Sequence, residues 1–186
     1  MTITVTDGPG LLLPGMANLQ PGVERYRVNG GAVTALLLGA GDRLEVIDPE
    51  GCQPVEIAAF DREGRSDPGL LGEASGAPAT GIAAILAGNQ HDARRVADAL
   101  AGKGIDLGST SAVHLFAPDS SAGQTAWLTA TTDVGCVIGV PGGKMSPHDQ
   151  NPPTDIITFV HRTAPPARGL EVLPSPLADQ NQDIRI

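Results

Sequence analysis

Aromatic residues are scarce, with one Trp, one Tyr and three Phe in 186 residues. A core built from this chain is therefore aliphatic and rich in alanine. Cysteine is rarer still: Cys52 and Cys136 are the only two. Two cysteines do not make a disulfide framework, and both read as buried strand starts. Basic residues are outnumbered, 12 Lys and Arg against 21 Asp and Glu, which gives a net charge of −9 and a pI near 4.7. No run of Lys or Arg overrides that average. Nucleic acid and anionic membrane surfaces, which call for a basic patch, are excluded as partners. Apolar runs are short as well. Leu11-Leu-Leu13 is cut off by Pro14, far from the roughly 18 residues of a membrane span, and no cationic start precedes an apolar stretch. The expectation is a soluble cytoplasmic protein.

Glycine and proline are plentiful, at 24 and 16 residues, so much of the chain is turn and loop. The length fits one domain with a substantial core. We place that domain at 1–162. Residues 163–186 carry Pro165, Pro166, Pro174 and Pro176, too many for a packed element, and read as an extended arm or linker. Asp183-Ile-Arg-Ile186 looks unfinished, a hint of a larger polypeptide or a partner.

The most informative stretch is Gly41 to Phe60. Leu44 and Val46 alternate with Arg43 and Glu45, and Val55 and Ile57 alternate with Pro54 and Glu56. Period-two alternation marks strands with one buried and one wet face. Between them, Asp48-Pro-Glu-Gly51 is a turn, with Pro49 pre-set for its second position and Gly51 free to take a positive φ. The spacing predicts a hairpin. Ala126 to Val140 has the same outline around Asp133-Val-Gly-Cys136. That is either a weak internal duplication or the narrow choice of turn residues in β proteins. A third strand–turn–strand is predicted from Arg25 to Leu38 around Asn29-Gly-Gly31. Thr2 to Thr6 alternates too, and Ile156 to Val160 is the last strand.

Helical character sits between the hairpins. Thr80 to Ala87 suits one short helix. His91 to Ala101 suits a better one, with Ala93, Val96, Ala97 and Leu100 on one face and Arg94 and Asp98 paired on another. Asn89 is its expected N-cap and Gly102 its stop. Its small apolar stripe suits packing at a sheet edge. Residues 61–80 read as a long polar loop. The predicted class is α+β, mainly antiparallel β, a sandwich or distorted barrel with one or two helices inserted between hairpins.

The densest chemistry lies in the loop 141–155. His148 and Asp149 form a pair suited to proton transfer, because the carboxylate orients and charges the imidazole. Lys144, Gln150 and Asn151 are candidate ligand contacts. Gly142-Gly143-Lys144 lacks the spacing of a phosphate loop. No metal site and no cofactor are expected. His91-Asp92 reads as a helix start, His114 as a satisfied core histidine, and His161 beside Arg162 as a surface residue. Cys136 is the candidate nucleophile, against the reading of both cysteines as small buried hydrophobes.

Leu44-Glu-Val-Ile-Asp-Pro-Glu-Gly-Cys-Gln-Pro-Val-Glu-Ile-Ala-Ala-Phe60 resembles the urea carboxylase-associated family, whose members carry a similar strand–Asp-x-x-Gly-x-Gln–strand. Leu128-Thr-Ala-Thr-Thr-Asp-Val-Gly-Cys136 and Asn151-Pro-Pro-Thr-Asp-Ile156 are similar to its late strand and its Asn-Pro-x-x-Ile ending. The resemblance implies either of two settings. One is a small-molecule enzyme working beside urea or guanidine carboxylation. The other is an N-terminal module fused to a folate-dependent aminomethyltransferase resembling the glycine cleavage T protein. In the second setting a Pro-rich tail such as Leu173 to Asp179 leads into the next domain. Fuller members carry a Cys- and His-Asp-containing stretch in the middle. Here only His91-Asp92 corresponds, and no cysteine lies between Cys52 and Cys136. The expected function is therefore a degenerate, non-catalytic accessory or interaction domain of a larger aminomethyltransferase-like protein or complex, joined through the C-terminal arm. The alternative is a hydrolase or deiminase of urea- or amidine-type C–N bonds, using His148, Asp149 and Cys136. A small-molecule ligand and homo- or hetero-oligomers are compatible with both.

Overall fold

The computed structural model describes residues 19–142 and 152–163. Two antiparallel sheets face each other. In chain order the strands are β1 (Val23–Val28), β2 (Val33–Leu38), β3 (Arg43–Asp48), β4 (Val55–Phe60), β5 (Ala77–Pro78), β6 (Ser111–Leu115), β7 (Gln124–Thr129), β8 (Val134–Gly139) and β9 (Ile156–His161). Helices α1 (Thr80–Leu86) and α2 (His91–Gly102) lie between β5 and β6. One sheet has the order β1-β9-β3-β7 and the other β2-β8-β4-β6-β5. Apart from the short β5, this is the strand order of a double-sheet jelly roll. The predicted class therefore holds, as a sandwich and not a closed barrel.

The strands predicted from Arg25 onward form, while Thr2 to Thr6 lies outside the described residues, and none of the three predicted hairpins forms. β1 and β2, β3 and β4, and β7 and β8 each fall in opposite sheets. Each turn is an arch that carries the chain across the core. Alternation fixes which face of a strand is buried, not which strand lies beside it. The two similar stretches become each other's partners: β3 pairs with β7, Leu44 opposite Leu128, and β4 pairs with β8, Ile57 opposite Ile138. Gly135 and Cys136 belong to β8, so the second turn closes before them, at Asp133.

The inner core between the sheets includes Leu44, Val46, Val55, Ile57, Ile138, Ile156 and Val160. A second apolar layer covers the outside of the five-stranded sheet, where Ile82, Leu86, Ala93 and Leu100 of the helices meet Val33, Ala58, Phe60 and Val137. β4 lies between the two layers and is buried on both faces. Helix α2 packs on β2, an edge strand, as its modest stripe predicted. Its N-cap is Gln90, without a side-chain bond, and not Asn89. The Asn89 amide oxygen instead accepts a bond from Arg94, which turns back to it rather than toward Asp98. The polar stretch 61–80, predicted as a long loop, is not loop throughout. It holds a 3-10 turn, Pro68–Leu71, whose Leu71 is buried against the inner core. Ile57 is fully buried in that core, so Ile57→Ala is expected to cost about 3 kcal/mol in urea unfolding. A change below about 0.5 kcal/mol would mean that the face assignment is wrong.

Candidate functional site

The described stems of the loop predicted to carry chemistry, residues 141–142 and 152–155, adjoin the end of β8 and the start of β9. Lys144, His148, Asp149, Gln150 and Asn151 lie outside the described residues, as does the arm from residue 164 onward. The two stems of the loop are described, and a single side chain joins them. The buried Gln53 amide donates to the carbonyls of Pro54 (2.8 Å) and Pro141 (2.9 Å) and accepts from the Thr154 amide (2.8 Å). Asp155 follows and accepts from the Gly30 amide at 3.0 Å while pairing with Arg27. The Gly30 amide and the Arg27 guanidinium hold its carboxyl below the usual aspartate range.

Asp48 lies beneath these stems and is fully buried. Its carboxylate accepts from the amides of Gly51 (2.9 Å) and Gln53 (3.0 Å) and from the Ser120 hydroxyl (3.1 Å). Ser120 in turn accepts from the Cys52 amide. Gly51 has φ +84°, and a Cβ there would lie 2.7 Å from the Ala122 nitrogen. Only glycine fits. Cys52 also has a positive φ, 63°, and is exposed. The expectation that it is a buried strand start was wrong, because it sits in the arch and not in β4.

Glu56 was predicted on a wet face. It is buried instead, accepting from the amides of Gly81 (2.9 Å) and Ile82 (2.8 Å). Ala79, at the start of α1, offers no side-chain cap, so a carboxylate from the underlying sheet serves that purpose. A Cβ at Gly81 would sit 2.8 Å from the Glu56 oxygen, so this approach also requires glycine.

The opposite end of β3 holds a cluster that the sequence reading missed. His161, read as a surface residue, is partly buried, and the side chain of its neighbour Arg162 is only 15% exposed. It donates to both Glu24 oxygens (3.0 and 2.8 Å), to Asp42 (2.8 Å) and to the Leu37 carbonyl (2.7 Å). Tyr26 donates to Glu24 at 2.6 Å. No local pattern signals this cluster. Its members are joined only by the β1–β9 pairing and the turn before β3.

Among the remaining candidates, Cys136 is buried in β8, and burial alone pushes its thiol up to about 12. A thiol so placed stays protonated at neutral pH and is a poor nucleophile. One cysteine, Cys52, is expected to react with an alkylating reagent in the native protein, and Cys136 only on unfolding. Fast native labelling of both, counted by intact mass, would put Cys136 in an accessible site. His91 and Asp92 are exposed at the start of α2, 3.4 Å apart, in keeping with a helix-start role. His114 is exposed and not in the core. Among the described residues no group of three His, Cys, Asp or Glu is placed to hold a metal. A polar surface cleft of about 390 Å³ between residues 63–66 and 104–110 contains none of the predicted site residues. No described helix is long and apolar enough to cross a membrane.

No family model matches the chain. It is similar to trimethylamine-oxide aldolase of Ruegeria pomeroyi, with 37% identity over 177 residues. That match takes in 95% of this chain but 22% of the relative, so the chain spans about a fifth of the curated protein's length. Among solved structures, a DUF1989 family protein from Silicibacter pomeroyi matches at 15% identity over 83% of each chain, with a TM-score of 0.45. A likeness that loose carries no functional information.

Proposed function

We propose that this chain is a non-catalytic β-sandwich module of a larger enzyme related to trimethylamine-oxide aldolase. The observation that carries the reading is the use made of its buried polar side chains. Asp42, Asp48, Gln53, Glu56, Thr110 and Ser120 each hold backbone amides or carbonyls of the chain itself. Groups committed in this way shape arches and cap a helix; they are not free to move protons on a substrate. The motif behind the urea carboxylase-associated resemblance has the same character. Asp48, Gly51 and Gln53 build the first arch, so the resemblance supports a shared way of turning the chain and brings no amidine chemistry with it. The 37% identity along nearly the whole chain, against 22% of the relative, supports a module within a longer protein.

A segment swap tests this. The chain replaces the matched segment of the Ruegeria pomeroyi enzyme, and turnover of trimethylamine oxide is measured. We expect the swapped enzyme to fold and retain turnover, and the isolated chain to turn over neither trimethylamine oxide, urea nor guanidine. Turnover of any of them by the isolated chain, lost in His148→Ala or Cys136→Ser, would overturn the module reading in favour of the hydrolase.

A further inference from the structure

The two outer faces of the sandwich differ. Helices cover the outside of the five-stranded sheet, while among the described residues nothing covers the outside of the four-stranded one. On that face β1 presents Val23, Arg25 and Arg27; β9 presents His161, Phe159 and Ile157; β3 presents Arg43, Glu45 and Ile47; β7 presents Thr129, Trp127 and Thr125. Trp127, the only tryptophan in the chain, is 43% exposed. Phe159, Ile157 and Ile47 are partly exposed on the same face. Glu45 is held by His161 at 3.1 Å, and Arg43 lies 4.3 Å from the Trp127 ring centre. Arg25 is exposed and has no ion-pair partner among the described residues. Phe159, Ile157 and Ile47 adjoin one another, Glu45 stands between Phe159 and Trp127, and Arg25, Arg27 and Arg43 lie around them, a mixed aromatic, apolar and arginine composition found at interaction surfaces.

We propose that this face binds a second copy of the chain, packed sheet on sheet about a two-fold axis parallel to the strands. The register supplies the argument. Arg25, Phe159, Glu45 and Trp127 form one row across the sheet. An axis parallel to the strands reverses the row. Arg25 then lies over the partner's Trp127, whose ring already carries Arg43 on one side and His161 at 5.0 Å, and next to the partner's Glu45, so a cation unpaired among the described residues meets a carboxylate beside an indole edge. The row below, Arg27-Ile157-Ile47-Thr125, places Ile157 against the partner's Ile47. An axis across the strands would stack Arg25 on the partner's Arg25 and Glu45 on the partner's Glu45, which is repulsive. Facing sheets sit about 10 Å apart, within the reach of an arginine and an indole. Four strands of six residues make a face of about 19 by 20 Å. That is about half of the roughly 800 Å² per partner of a standard interface. The association is therefore weak, with a Kd of about 0.1 mM.

Sedimentation velocity on the full 186-residue chain, from about 10 μM to about 1 mM, tests this, with Trp127 emission as a second readout. The expected result is a concentration-dependent monomer–dimer equilibrium with a blue shift of the tryptophan on association. Arg25→Glu and Trp127→Ala should each weaken it by about tenfold or more with an unchanged melting temperature. Lys103→Glu, the same charge change on an exposed residue at the end of α2, should leave it as it was. A monomer at every concentration would overturn the proposal, including one whose tryptophan is already shielded by another part of the chain. A dimer indifferent to Arg25→Glu and Trp127→Ala would overturn it as well.

Discussion

Asp48→Ala is expected to destabilise the fold by about 4 kcal/mol, more than the loss of a well-packed isoleucine methyl cluster. The carboxylate is fully buried and accepts three bonds, from Gly51, Gln53 and Ser120. Alanine leaves those donors buried with no water to replace the acceptor, and each unsatisfied group costs about 1–3 kcal/mol. The damage extends beyond the arch. Gln53 keeps its position through the bond to Asp48, and Gln53 joins Pro141 to Thr154. Asp48→Asn keeps the shape and one acceptor but turns an amide N–H toward the amide donors, so it should cost about 2 kcal/mol. Urea unfolding measures both. A loss below about 1 kcal/mol for the alanine variant would mean that water reaches the arch and replaces the carboxylate.

Asp48 also shows what could be read from sequence and what could not. Asp-Pro-Glu-Gly marks a turn on local grounds, and Gly51 takes the expected positive φ. The destination of the turn is not local. A hairpin and an arch share the same alternation on either side, and the choice depends on which strands satisfy the backbone ladder. Here β9 lies between β1 and β3, and β8 between β2 and β4, so strands remote in sequence decide the pairing. Glu56 was misread for a related reason. Its alternation with Val55 and Ile57 is real, but the face opposite the core is covered by α1, whose two amides claim the carboxylate. A short helix carries too little periodic signal to show which sheet face it covers. The candidate loop was legible only as composition, because His148 and Asp149 gain meaning from what surrounds them. The Arg162 cluster was not legible at all: arginine after a strand is ordinarily solvated, and its carboxylate partners lie 138 and 120 residues away in the chain.

Arg162→Met is expected to cost about 4 kcal/mol, because breaking a buried ion pair leaves a carboxylate without its counter-charge. Asp42 is 3% exposed and would retain only its bonds from the Gly39 and Thr163 amides. The pH dependence separates loss of charge from loss of packing. Burial pushes the Glu24 carboxyl up, but the Arg162 fork and the Tyr26 hydroxyl outweigh it and hold the group below its ordinary 4.5. A depressed carboxyl contributes stability above its unfolded value and loses it as the pH falls through the folded one. The wild type should therefore lose stability on acidification below 4.5, and Arg162→Met should lose much of that dependence, since little then holds Glu24 ionised. At the alkaline end, burial first and the bond to Glu24 second push Tyr26 from 10 up to about 12. A raised phenol contributes stability below its unfolded value and loses it as the pH rises toward the folded one, because only the unfolded tyrosine ionises in between. The chain has one tyrosine, so tyrosinate absorbance reports this group alone. The native protein should show no tyrosinate at pH 10 and should weaken steadily from 10 to about 12. Ionisation at the ordinary value in the folded wild type would mean that Tyr26 is solvated and that Glu24 answers to Arg162 alone.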